Sequence, residues 1–135
     1  MANEAILIFQ TALPIPFTVA NGVGIEKGTV AQLTDPMTAV AQSTADEMIA
    51  GITSTEKIAS DGVTKVGVYR EGIFKMTLSG ACIVGDALGS DEAPNMVKRV
   101  SAVVSGARIL GIALETGADN ETILVELKPS NAVAD

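Results

Sequence analysis

Side chains able to do chemistry are few and scattered. The 135 residues include no histidine, so imidazole general bases, Ser-His-Asp triads and histidine-ligated metals are excluded. The single thiol, Cys82, lies in Gly80-Ala81-Cys82-Ile83-Val84, with no second cysteine to complete a disulfide or zinc pattern. It reads as a small core residue; a reactive thiolate would need a neighbouring cation, and Lys75 is the candidate. The carboxylates fall at turns, where they usually bind local backbone, and only Asp46-Glu47 and Asp91-Glu92 are adjacent. Asp86, Asp91 and Glu115 become acid or base candidates only by default. Neither Asp91-Glu92 nor Asp119-Asn120-Glu121 has the spaced acidic pattern of a dedicated calcium loop. With three Phe, one Tyr and no Trp, there is little to stack on a sugar ring. The expectation is a protein that is not an enzyme and uses no cofactor or metal.

Charge narrows the partners. Nine basic against 16 acidic residues leave a net charge of -7, a field that repels phosphate backbones, so nucleic-acid binding is not expected. No apolar stretch reaches the roughly 18 residues of a membrane span, and Met-Ala-Asn-Glu lacks a basic signal start. A soluble chain made in the cytoplasm is therefore expected.

The elements that position these residues are β-strands. Val, Ile and Thr fill 38 of 135 positions, and such χ1-stiff side chains suit a pleated surface better than a helix. From Phe17 onward, short apolar segments are broken by Asn21-Gly22, Asp35-Pro36, Asp61-Gly62, Glu71-Gly72, Asp91 to Asn95 and Gly117 to Asn120, the spacing of a barrel or sandwich. The pattern predicts a hairpin of Val63–Arg70 with Ile73–Leu78 about Glu71-Gly72. It also predicts a strand over Glu121–Lys128, with Ile123, Val125 and Leu127 on one face and Pro129 as its stop. Asp35-Pro36 could instead cap a helix bearing Met37, Val40, Ala41, Thr44 and Met48.

An internal repeat competes with that helix. Lys27-Gly28-Thr29-Val30 matches Val84-Gly85-Asp86-Ala87 at an offset of 57, and Ile49-Ala50-Gly51-Ile52-Thr53 matches Ile109-Leu110-Gly111-Ile112-Ala113 at 60. Thr64 and Thr122 begin the following strand of each copy, at 58. Asp35-Pro36 then becomes a turn equivalent to Asp91–Asn95. Gly51 and Gly111 mark tight curvature or close backbone approach, and Gly28 and Gly85 mark turns.

Residues 1–16 stand apart as an extended N-terminal arm, followed by a β domain over 17–129 and a short tail over 130–135. Ile6-Leu7-Ile8-Phe9 is apolar, and the prolines of Leu13-Pro14-Ile15-Pro16 oppose regular pairing. Large apolar side chains gain roughly 1.5–3 kcal/mol each on leaving water, so something should cover them. The candidates are the edge of a partner's sheet or the chain's own domain. The partner-binding candidates are Ile6, Ile8, Phe9, Leu13, Pro14, Ile15 and Pro16.

Several of these segments, taken together, resemble a known family. Ile49-Ala50-Gly51-Ile52-Thr53, Thr64-Lys65-Val66-Gly67-Val68-Tyr69-Arg70 and Glu71-Gly72-Ile73-Phe74 resemble a run in the head decoration proteins of tailed phages, the lambda type included. Gly80–Leu88, Ile109–Ala113 and Thr122–Leu127 are similar to segments of related capsid cement proteins. The resemblance implies a small β-barrel or β-clip-like subunit, assembled here from two duplicated strand-turn-strand units. It also implies a homotrimer on the outer capsid surface of a virion, bridging subunits of the major capsid protein and stabilising the head, with no active site to carry over. A tail tube or baseplate β-domain and a soluble β-barrel ligand-binding module are the alternatives.

Overall fold

Short strands with period-two alternation can bury their inner side chains and satisfy every backbone group only by curling onto themselves, and this chain does so twice. The computed structural model describes residues 3–41, 48–91, 95–100 and 108–130. Among these residues the regular structure is entirely β. The strands are β1 (Ile6–Phe9), β2 (Ile15–Thr18), β3 (Val30–Asp35), β4 (Thr38–Ala41), β5 (Ile49–Thr53), β6 (Lys65–Tyr69), β7 (Gly72–Leu78), β8 (Ala87–Ser90), β9 (Met96–Arg99), β10 (Ile109–Ala113) and β11 (Thr122–Ser130).

β2-β4-β3-β5-β6 form one closed barrel. The sheet β1-β7-β11-β10-β8-β9 closes a second, because β9 pairs back onto β7. The two barrels have the same topology: β2 is parallel to β4 as β7 is to β9, and all other pairings in each ring are antiparallel. Register confirms the repeat residue by residue. Ala31 faces Gly51 as Leu88 faces Gly111, and Ile52 faces Tyr69 as Ile112 faces Glu126. The bridge of Ile25 with Lys57 recurs as Cys82 with Gly117. In the last strand of each copy the structural offset is 57, so Lys65, and not Thr64, is the counterpart of Thr122.

The repeated glycines have geometric causes. A Cβ on Gly51 would overlap the Tyr69 carbonyl, and one on Gly111 the equivalent Glu126 carbonyl, so both sit where two strands close tightly. Gly28 and Gly85 turn into the following strand at φ of +83° and +92°.

Two expectations about strand pairing and strand ends are corrected. The strands expected to form a hairpin about Glu71-Gly72 have other partners: β6 pairs with β2 and β5, β7 with β1, β9 and β11. Arg70-Glu71 is the link between barrels, and Gly72 at φ +138° redirects the chain. β11 continues through Pro129, with Ser130 opposite Ile109. Proline is tolerated there because the register is already irregular between Ile109 and Gly111. At Asp35-Pro36 the turn implied by the repeat is the one observed: Pro36-Met37 turns between β3 and β4, and the helical alternative is not adopted, its Thr44 lying outside the described residues.

Residues 1–16 are not separate from the β domain. β2 begins at Ile15 and belongs to the first barrel, while β1 pairs antiparallel with β7 of the second, Ile6 opposite Lys75 and Leu7 opposite Phe74. Just before β1, the Ala5 N–H donates to the Gly28 carbonyl of the first barrel at 2.8 Å. Ala5 is buried and Leu7 packs on the shared core, so the segment staples one barrel to the other.

Candidate functional site

Most of the candidate residues for chemistry hold local structure. Cys82 is buried, donates weakly to the Glu115 carbonyl at 3.7 Å, and its thiol is pushed up by burial. Lys75, its hypothetical activator, is solvent-exposed on β7. Asp86 accepts the Ile83 amide at 2.9 Å and Glu115 the Leu124 amide at 2.7 Å, while Asp91 stands 4.0 Å from Lys98. Asp119 accepts the Gly80 amide and Glu121 the Ala118 amide, so both are turn carboxylates. Among the described residues no three acidic or cysteine side chains converge.

One buried cation is a structural knot. Lys57 has no exposed side-chain surface, and its Nζ donates to the Asn21 carbonyl at 2.7 Å, the Ile58 carbonyl at 3.0 Å and Asp61 Oδ1 at 3.0 Å. All three ammonium protons are used. The Val63 amide, then the Lys57 ammonium and the Ile58 amide, hold the Asp61 carboxyl below its usual range.

What remains is apolar surface. Ile6 is 59% exposed, Phe9 61% and Leu13 77%, with Ile8, Ile15 and Pro16 also exposed and Pro14 half-buried over Gly67. Alternation along β1 explains the first of these: Ala5 and Leu7 turn inward, so Ile6 and Ile8 turn out. An irregular register between Leu7 and Phe9 leaves Phe9 outward as well. The seven candidates thus lie on one continuous stretch, six of them exposed, with β1 forming the outer edge of its sheet.

Sequence reasoning missed a second feature. Between the barrels runs a cleft of about 860 Å³, lined by Ile15 and Arg70 from the first and by Ala87, Ile109, Ile112 and Glu126 from the second. Adjoining it, the mouth of the first barrel opens as a mainly apolar pocket of about 450 Å³ around Phe17, Leu33, Met37 and Met48. The available signal was the repeat: Ile109 and Ile112 are the copies of Ile49 and Ile52.

No family model matches the chain, and no curated protein matches it in sequence. Among solved structures it is similar to one described as the crystal structure of head fiber gp8.5 N base in bacteriophage phi29, with a TM-score of 0.55 and 11% identity. The match covers 90% of this chain and 98% of that one, so the likeness takes in both barrels. At that identity the likeness is one of fold.

Proposed function

We propose that this protein is a structural component of a bacteriophage head, seated on the outside of the shell as a decoration or cement subunit. The observation that carries this reading is the near end-to-end likeness in fold to the base of a phage head fiber. The chemical inventory supports it: attachment needs complementary surface, and the polar side chains capable of chemistry here are tied into turns and a buried knot. The acidic net charge suits a protein outside the shell, since it does not compete for packaged DNA. In this reading Ile6, Ile8, Phe9, Leu13 and Ile15 contact the major capsid protein, three copies associate, and the assembly bridges neighbouring subunits against internal pressure without catalysis.

The test is occupancy on purified, expanded heads. Truncating residues 2 to 16 would remove β1 and half of β2, so point substitutions are the cleaner probe. Ile6→Ser with Phe9→Ser should weaken attachment about tenfold or more while the barrels stay folded, because both side chains point away from the core. Failure of the unmodified protein to attach to heads, or its recovery on tails alone, would overturn the proposal.

A further inference from the structure

The two barrels meet in a reciprocal way. β5 touches β10, its own copy, as two equivalent units do about an approximate twofold axis. Under that relation every contact from the first barrel to the second has a counterpart from the second to the first. One of the two is largely covered, keeping a smaller cavity of about 480 Å³ beside Ala5, Leu7, Gly28, Tyr69 and Phe74, and the other is open.

On the sealed side Val30, Ile49 and Ile52 are fully buried against the second barrel. Tyr69 meets Phe74 edge to face at 5.7 Å between ring centres, and Asn95 Oδ1 accepts the Val30 amide at 2.9 Å. The counterparts are Ala87, Ile109 and Ile112, the pair Glu126 and Ile15, and Met37. A smaller side chain, a carboxylate beside an isoleucine and a thioether without a strong acceptor cannot remake that seal. Accordingly, Ala87, Ile109, Ile112, Glu126 and Ile15 line the 860 Å³ cleft, and Met37 is 48% exposed beside it.

The sealed side also shows what such a groove takes. The extended segment through Ala5 and Leu7 lies across it, with the Ala5 amide on the Gly28 carbonyl and Leu7 against the core. A Cβ on Gly28 would come within 2.5 Å of the Ala5 carbonyl oxygen, whereas one on its counterpart Gly85 would meet nothing within 4 Å. The position corresponding to the bound segment therefore faces open space beside the cleft. We infer that this cleft is a docking groove for an extended apolar segment of another protein chain, carrying a small residue followed two positions later by a large one, as in Ala5-Ile6-Leu7. The chain's own N-terminal segment is paired with β7 and cannot reach across. The occupant differs from β1 in one respect. Pro14 and Pro16 stand where Ile73 and Lys75 stand in the second barrel, so this edge has no N–H donors for a full ladder, and side-chain burial with the Gly85 carbonyl supplies the binding.

The probe is a fluorescein-labelled peptide of residues 3–10, Asn-Glu-Ala-Ile-Leu-Ile-Phe-Gln, titrated with the full chain and followed by anisotropy. Saturable binding is expected, weakened about tenfold by Ile112→Glu. A second variant, Ile15→Phe with Glu126→Tyr, recreates the Tyr69–Phe74 pair on the open side; it should abolish binding with the melting temperature held or raised. Absence of saturable binding would overturn the inference. So would equal affinity for the wild-type chain and both variants, since the peptide would then be exchanging with the chain's own β1. Because no phage particle is involved, this result is independent of the role proposed above.

Discussion

The first and second barrels share a topology but fill it differently. Facing inward, Phe17, Ala31, Leu33, Ala39, Ala50 and Val68 of the first correspond to Met76, Leu88, Ser90, Val97, Leu110 and Val125 of the second. The first core sets one large aromatic among three alanines where the second uses several medium side chains, so the same ring is filled by different shapes. Outside the cores, Lys57 ties the loop that Gly117 packs in the second barrel, where a Cβ would press to 2.7 Å from Ile123 and 2.8 Å from Leu78. β7 accepts a strand on the edge where β2 has prolines. Topology and register are common to the two barrels; the polar and edge chemistry is not.

Substituting matched positions tests this contrast. The largest effect is expected for Lys57→Ala, which leaves two carbonyls and a carboxylate without their shared donor and should destabilise by about 3 kcal/mol in urea unfolding. An equal melting temperature would show the knot to be dispensable. The knot also sets an acid limit. Since the folded Asp61 carboxyl titrates below the ordinary 3.8, its contribution is complete above that value and is lost as pH falls through the lower folded one. Asp61→Asn should flatten acid unfolding below about pH 4, and an unchanged profile would remove Asp61 from it. Next in size is Asn95→Ala, which strands the buried Val30 amide and should lose about 2 kcal/mol, against a few tenths for Met37→Ala at the equivalent turn. Equal losses would erase the difference between sealed and open sides. The smallest concerns Ser90, whose buried hydroxyl has no hydrogen-bond partner among the described residues. Ser90→Ala should be neutral or stabilise by up to about 1 kcal/mol, and a marked loss in melting temperature would place a hydrogen bond there.

Much of this was legible in the residues. β-branched content and turn spacing announced an all-β chain, the matched glycines announced the duplication, alternation placed Ile123, Val125 and Leu127 in the core, and the lack of a histidine or second cysteine placed Cys82 there. The hairpin failed because two alternating runs around Glu71-Gly72 look the same whether they pair with each other or with separate rings. The apolar stretch from Ile6 to Pro16 was recognisable as needing cover, by a partner or by the chain's own domain, but its division into an inward and an outward face depended on pairing with β7. The cleft was readable only in part: Ile109 and Ile112 repeat Ile49 and Ile52, yet nothing local tells the covered pair from the uncovered one.

The sequence by itself determined where the chain turns, which residues alternate and which side chains can ionise, since backbone preference, side-chain stiffness and ionisable groups are properties of a few neighbouring residues. Tertiary structure alone decided which strands close which ring, that the N-terminal segment staples the barrels, and that one of two equivalent contacts is sealed. Those outcomes depend on burial and hydrogen bonds between residues that belong to different barrels, such as Val30 with Asn95 and Tyr69 with Phe74, where several differences in the paired residues separate a packed contact from an open groove.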